Sequence, residues 1–138
     1  MTDKMLNVLL VEDDEVDVMN VQRAFKKNNI TNPLYLAGNG LEGLEMLRSD
    51  AIPVGRRLIL LDLNMPKMNG IEFLRELRAD PALNPTPVVV LTTSNDDRDR
   101  VEAYNLNVAG YILKPVTFGN FVEAMATLNK YWCLVEMP

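Results

Sequence analysis

Three short apolar runs in this chain each end on a side chain able to do chemistry: 6–11 leads into Glu12 and Asp13, 58–61 into Asp62, and 111–113 into Lys114. If the runs are strands of an open parallel sheet, their carboxyl ends meet in the crevice where such sheets bind ligands. Residues far apart in the chain then share one site. Three acids facing one lysine leave about −2 of charge when all are ionised, which is costly for like charges held close, and a divalent cation would relieve it. A carboxylate in that setting is a nucleophile able to form an acyl phosphate. Magnesium would orient and neutralise the incoming phosphoryl group, and a lysine aimed at the acids is a point charge for phosphate.

Each of these residues also has a plainer reading. Asp14, beside the first acid pair, suits a helix N-cap, and capping accounts for one acid of the three. Asp62 is followed by Leu63, Asn64, Met65, Pro66, Lys67, Met68, Asn69 and Gly70, where a rigid proline and a glycine able to adopt positive φ make either an active-site loop or a tight turn. Thr92, Thr93 and Ser94 place hydroxyls after the fourth apolar run. Ser94 reads as a helix cap, and Thr92 is the better phosphate donor. Lys114 precedes Pro115, a bond whose isomer the sequence leaves open.

The chain has 138 residues and a formal charge of −5, which suits one domain with a buried core. It gives no basic footprint for nucleic acid or an anionic membrane surface. The apolar runs are far shorter than the ~20 residues of a membrane span, and the first residues do not form a secretory signal. Cys133 is the only cysteine, so an intrachain disulfide or thiolate cluster is excluded and a reducing, cytoplasmic setting fits. The chain contains no histidine, which removes imidazole ligands, a histidine base and a phosphohistidine carrier. Any such group must come from a partner.

Short continuous apolar runs alternate with stretches of helical spacing, the pattern of repeated β-α units. The expected strands are 6–11, 34–37, 58–61, 88–92 and 109–113. They are rich in Val, Ile and Leu as strands covered on both faces should be, and the second, less apolar and carrying Tyr35, reads as an edge strand. Between them the spacing predicts helices with apolar stripes of Val16, Met19, Ala24 and Phe25, of Leu41, Leu44 and Leu47, and of Ile71, Leu74 and Leu77 from Gly70 onward. A mostly polar fourth helix, 97–105, and a fifth carrying Phe118, Phe121, Val122, Met125 and Leu128 complete the set. The connections 50–57 and 79–87 carry proline punctuation, and the first is expected to shape only the surface.

Glu12 and Asp13, Asp62 with Met65, Pro66 and Gly70, Thr92, and Tyr111 with Lys114 and Pro115 together resemble the receiver domain of bacterial two-component response regulators. They occur in that family's order and spacing along nearly the whole chain. The resemblance implies a single receiver domain over 1–138 without an output domain. Its fold would be flavodoxin-like and doubly wound, (βα)5, a five-stranded parallel sheet in the order 2-1-3-4-5 with helices on both faces. It implies a phosphoacceptor, not an enzyme, apart from self-phosphorylation and autodephosphorylation. Carried onto this chain, it makes Asp62 the phosphoacceptor, Asp13 a direct Mg2+ ligand, Glu12 a metal-site acid acting through water, and Asn64 a ligand through its carbonyl. Thr92 and Lys114 would contact the phosphoryl oxygens, and Tyr111 would be an aromatic switch coupled to Thr92. The implied donor is a sensor histidine kinase or phosphotransfer protein. The ending 131–138 is similar to regulators that partner bacterial phytochrome kinases. Thr93 departs from the alanine frequent at its position, and 50–57 is long for that connection.

Tyr111 can equally be ordinary core. Without an output domain, the signal would leave through the fourth helix, fifth strand and fifth helix; residues 118–132 supply more apolar side chains than one helix needs against a sheet, which motivates a homodimer, with simple core packing as the competing explanation. Two rivals share the residues: a receiver-like interaction module without phosphorylation, and a small aspartate-dependent phosphatase. The phosphatase lacks its general-acid aspartate, because Asn64 stands there. A flavin protein of the same fold is more distant, since fold alone does not fix function.

Overall fold

A computed structural model of the chain describes residues 7–27, 32–53, 56–63, 68–92, 108, 110–113 and 119. The expected fourth helix, the expected fifth helix apart from Gly119, and Asn64, Thr93, Ser94, Lys114 and Cys133 lie outside these residues.

The elements run β1 (Asn7–Val11), α1 (Glu15–Lys27), β2 (Leu34–Ala37), α2 (Gly40–Arg48), β3 (Arg57–Asp62), α3 (Gly70–Ala79), β4 (Val88–Thr92) and β5 (Gly110–Leu113). All strand pairs are parallel, and the sheet has the order β2-β1-β3-β4-β5, as the resemblance implied. β3 is buried along its whole length, and β2 borders the sheet beside β1 alone.

Successive side chains of a strand point to opposite faces, and two cores follow from that alternation. Val8, Leu10, Leu58, Leu60, Val89 and Leu91 meet Val21 and Phe25 of α1. Leu9, Val11, Ile59, Leu61, Val88 and Val90 meet Leu44, Leu47, Phe73, Leu74 and Leu77 of α2 and α3. Helices therefore cover both faces. Full burial of one such side chain contributes roughly 1.5–3 kcal/mol, which is why the two layers hold the strand ends in register.

The inner face of α1 differs from the stripe read from spacing. Val21 and Phe25 are buried with Val18 packed against them, whereas Val16 and Met19 are 64% and 50% exposed. α1 carries two apolar arcs, and the sheet selects the one at i, i+3 and i+7. On α2, Leu44 and Leu47 are buried as expected, but Leu41, in the first turn, is exposed.

The helix starts are fixed locally. Asp14 Oδ1 accepts the Val16 N–H at 2.8 Å and the Asp17 N–H at 3.3 Å, which confirms the expected cap. Asn39 and Asn69 cap α2 and α3 by accepting the N–H groups of Glu42 and Glu72, each at 2.9 Å. The Glu72 carboxylate returns to the Asn69 N–H at 3.0 Å, closing a capping box. An Asn followed three residues later by Glu is the signal that announces both starts.

The connection 50–57 does more than shape the surface. Ile52 is buried, and Arg57 opens β3 with its guanidinium inside the protein, donating to the carbonyls of Leu47, Ile52 and Pro53 at 3.3, 2.6 and 3.1 Å. Burial lowers its pKa. The acceptors compensate the buried cation, and the Leu47 carbonyl belongs to the last turn of α2, which lacks intrahelical partners.

Candidate functional site

The sheet register brings the chemistry-bearing strand ends side by side. Val11 pairs with Leu61, Asp62 with Leu91, and Thr92 with Leu113, so β1, β3, β4 and β5 finish at one rim. Glu12 and Asp13 leave β1 there. Asp62 is the last residue of β3, and Thr92 is the last of β4. Tyr111 lies inside β5, paired with Val90.

Glu12, Asp13 and Asp62 converge, each offering a carboxylate oxygen within 4.8 Å of the others. Glu12 and Asp62 are buried, and Asp13 is exposed. The turn after β1 helps to set this arrangement, since Glu12 Oε2 accepts the Asp14 N–H at 3.2 Å while the Glu12 N–H donates to the Ala37 carbonyl at 3.0 Å. A hard divalent cation takes oxygen ligands at about 2.0–2.6 Å, which places oxygens on opposite sides of it roughly 4–5 Å apart. The observed spread fits that range. A donor set made only of carboxylate oxygens suits Mg2+, Mn2+ or Ca2+ over softer metals, and partial burial of acids already crowded together gives the site reason to take one.

The segment after Asp62 is fitted closely to the rim. The Gly70 N–H donates to the Leu63 carbonyl at 3.0 Å, and a Cβ at Gly70 would stand 2.7 Å from the Asp62 carbonyl oxygen and 2.5 Å from Leu63 Cα. The expected use of this glycine is a positive φ. The structure shows instead a backbone approach with no room for a side chain.

Of the residues expected at the site, the structure thus gathers Glu12, Asp13 and Asp62 with the backbone of Thr92 close by in register. Asn64 and Lys114 fall outside the described residues. Sequence reading missed Gly40 and Met68, whose contact beside this rim is tertiary and leaves no local signal.

Comparison with known proteins agrees with this geometry. The model of the response regulator receiver domain matches residues 8–126. The chain belongs to that family. Receiver domains accept a phosphoryl group on an aspartate and are not enzymes in the ordinary sense. Among curated relatives, this receiver is 35% identical over 130 residues to the probable methanogenesis regulatory protein FilR2 of Methanothrix harundinacea, covering 91% of this chain and 82% of that protein. It is 34% identical over 128 residues to the response regulator Rcp1 of Synechocystis, covering 91% and 87%. Among solved structures, the bacteriophytochrome response regulator AtBRR superposes with a TM-score of 0.80 at 33% identity, covering 92% of this chain and 94% of that one. The phosphorylated cyanobacterial phytochrome response regulator RcpA gives 0.75 at 32%, covering 94% of each, and the Mn2+-bound form of Rcp1 gives 0.71 at 34%, covering 92% and 94%. The receiver is thus related to phytochrome response regulators of known structure.

Proposed function

We propose that Asp62 is the phosphoacceptor, receiving its phosphoryl group from a phosphohistidine of a partner in a Mg2+-dependent reaction. The convergence of Glu12, Asp13 and Asp62 at the carboxyl end of the sheet carries this reading. An Asp62 carboxylate oxygen attacks phosphorus in line, the new O–P bond forms as the N–P bond of the donor breaks, and the released imidazole takes a proton from solvent. Asp13, Asp62, the Asn64 carbonyl and, through water, Glu12 would hold Mg2+, which would supply the positive charge that orients and neutralises the incoming phosphoryl oxygens. Thr92 and Lys114 donate to those oxygens once they are on Asp62. The same residues support self-phosphorylation from small phosphodonors and autodephosphorylation by water. That Rcp1 has a Mn2+-bound form supports a divalent cation for this receiver as well.

The donor belongs to another protein, since this chain has no histidine. A sensor histidine kinase or phosphotransfer protein fills that role, and the phytochrome response regulators among the relatives favour a phytochrome kinase. Phosphorylation adds roughly −1.5 to −2 of charge and three acceptor oxygens. Charged hydrogen bonds contribute about 1.5–3 kcal/mol each, so those from Thr92 and Lys114 approach the ~5.5 kcal/mol that inverts a two-state element. Tyr111 is the element's reporter, and the expected fourth helix, β5 and the expected fifth helix are its output and homodimer face. β5, at the sheet border beside β4, supports that face.

Incubation with acetyl phosphate followed by intact-mass measurement tests the phosphoacceptor. The expected result is one phosphoryl adduct that requires Mg2+ and is absent from Asp62→Asn. An adduct that persists in Asp62→Asn, or none on the folded wild type, refutes the assignment.

A further inference from the structure

Besides Gly70, the start of α2 is closely packed near the rim. Gly40 is buried, and a Cβ there would stand 2.9 Å from Met68 Cγ, 3.1 Å from Met68 Cβ and 3.1 Å from the Met68 carbonyl oxygen. Met68 Cγ can turn away about χ1, but Cβ and the carbonyl oxygen retreat only if the backbone moves with them. Gly40 cannot yield either. Asn39 caps the helix through the Glu42 N–H, the Glu42 carboxylate accepts the Gly38 N–H at 2.5 Å, and the Gly43 N–H donates to the Asn39 carbonyl at 3.0 Å. One turn on, Gly43 faces Val11 and Phe73, a Cβ there lying 3.1 and 3.2 Å from them.

Displacement of Met68 has a short route to the phosphoacceptor. Met68 precedes Asn69, whose capping box starts α3, and Gly70 then lies directly against the Asp62 carbonyl and Leu63. We propose that Gly40 is a positioning residue for phosphoryl transfer: by seating Met68 without a side chain between them, α2 fixes the far end of the connection that leaves Asp62 and so holds the Asp62 carboxylate in register with Glu12 and Asp13. Coupling passes through packed, hydrogen-bonded elements in direct contact, and small misplacements at a reacting centre cost up to about a hundredfold in rate. The inference rests on Asp62 being the phosphoacceptor.

The test is a double-mutant cycle with acetyl phosphate as donor, reading the maximal phosphorylation rate, the Mg2+ concentration for half-maximal rate, and the thermal unfolding midpoint without Mg2+. Gly40→Ala is expected to lower the rate or raise the Mg2+ requirement about tenfold at temperatures where it is fully folded. In the Met68→Ala background, which removes the nearest atom, the same change at Gly40 is expected to cost less than half that factor, since contacting residues are non-additive. Wild-type rates and Mg2+ dependence in folded Gly40→Ala overturn the proposal. So does a loss undiminished in Met68→Ala, which would make Gly40 a helix residue only. If Gly40→Ala does not fold, the pair Met68→Ala and Gly40→Ala with Met68→Ala decides alone: a folded double variant at Met68→Ala rates supports the seat, and an unfolded one refutes it. An unphosphorylated wild type would instead refute the Asp62 assignment.

Discussion

At the amino end of the sheet, Arg57 and Arg78 direct their guanidiniums to backbone carbonyls, those of Leu47, Ile52 and Pro53 and those of Asn84 and Thr86, and Arg48 pairs with Asp80 at 3.0 Å. At the carboxyl end, Glu12, Asp13 and Asp62 crowd like charges within 4.8 Å. The same two-layered core supports both ends. One uses charge to close the scaffold, where each cation meets acceptors the chain itself supplies. The other gathers charge of one sign that is complemented from outside, by a cation and then by a phosphoryl group's other contacts. A mutation at the first end should therefore change stability and spare chemistry, and a mutation at the second should do the reverse.

The largest stability effect expected is at Arg57. Arg57→Met leaves the buried carbonyls of Leu47 and Ile52 and the half-buried one of Pro53 without their donor and should destabilise by about 3 kcal/mol, read from the urea midpoint. Phosphorylation of the folded variant by acetyl phosphate should keep the wild-type rate, and a rate that falls with stability would erase the distinction between the two ends. Asp13→Asn is expected to act oppositely. It should raise the Mg2+ requirement at least about tenfold while raising the thermal midpoint in Mg2+-free buffer, because one of three like charges is gone. Saturating Mg2+ should stabilise the wild type by mass action, about 2.7 kcal/mol at a hundred times its dissociation constant, and stabilise the variant less.

The smallest effect belongs to Asp80. The Ala82 N–H, and after it Arg48, hold its carboxyl below the usual range, so its contribution is present above the ordinary carboxylate pKa of about 4 and is lost as pH falls through the lower folded value. Asp80→Asn should lie below the wild type in stability at neutral pH and converge with it in acid. A constant gap across that window would show that charge is not the cause.

Much of the fold and of the acid cluster is legible in the amino-acid sequence. Alternation of apolar runs with helical spacing announces the β-α repeats because buried parallel strands have little choice of composition, and acids at the ends of runs announce the rim. Asp62, Glu12 and Asp13 stand out because carboxylates are out of place against such strands. The inner face of α1 is not legible, since Val16 and Met19 are as apolar as Val18 and Val21 and only the sheet decides between the arcs. Arg57 hides behind the rule that arginine is exposed. The Gly40 and Met68 contact joins residues on different elements, and spacing along the chain carries no trace of it.

The central claim is that the carboxyl-end acids form a phosphoacceptor with Asp62 as the modified residue. Borohydride reduction of the receiver after acetyl phosphate and Mg2+ treatment, followed by tandem mass spectrometry, reads that residue directly, because an aspartyl phosphate is reduced to homoserine. Homoserine at position 62, dependent on Mg2+, is the predicted result. Homoserine at Asp13 or elsewhere, with aspartate intact at position 62 in the phosphorylated protein, would contradict it.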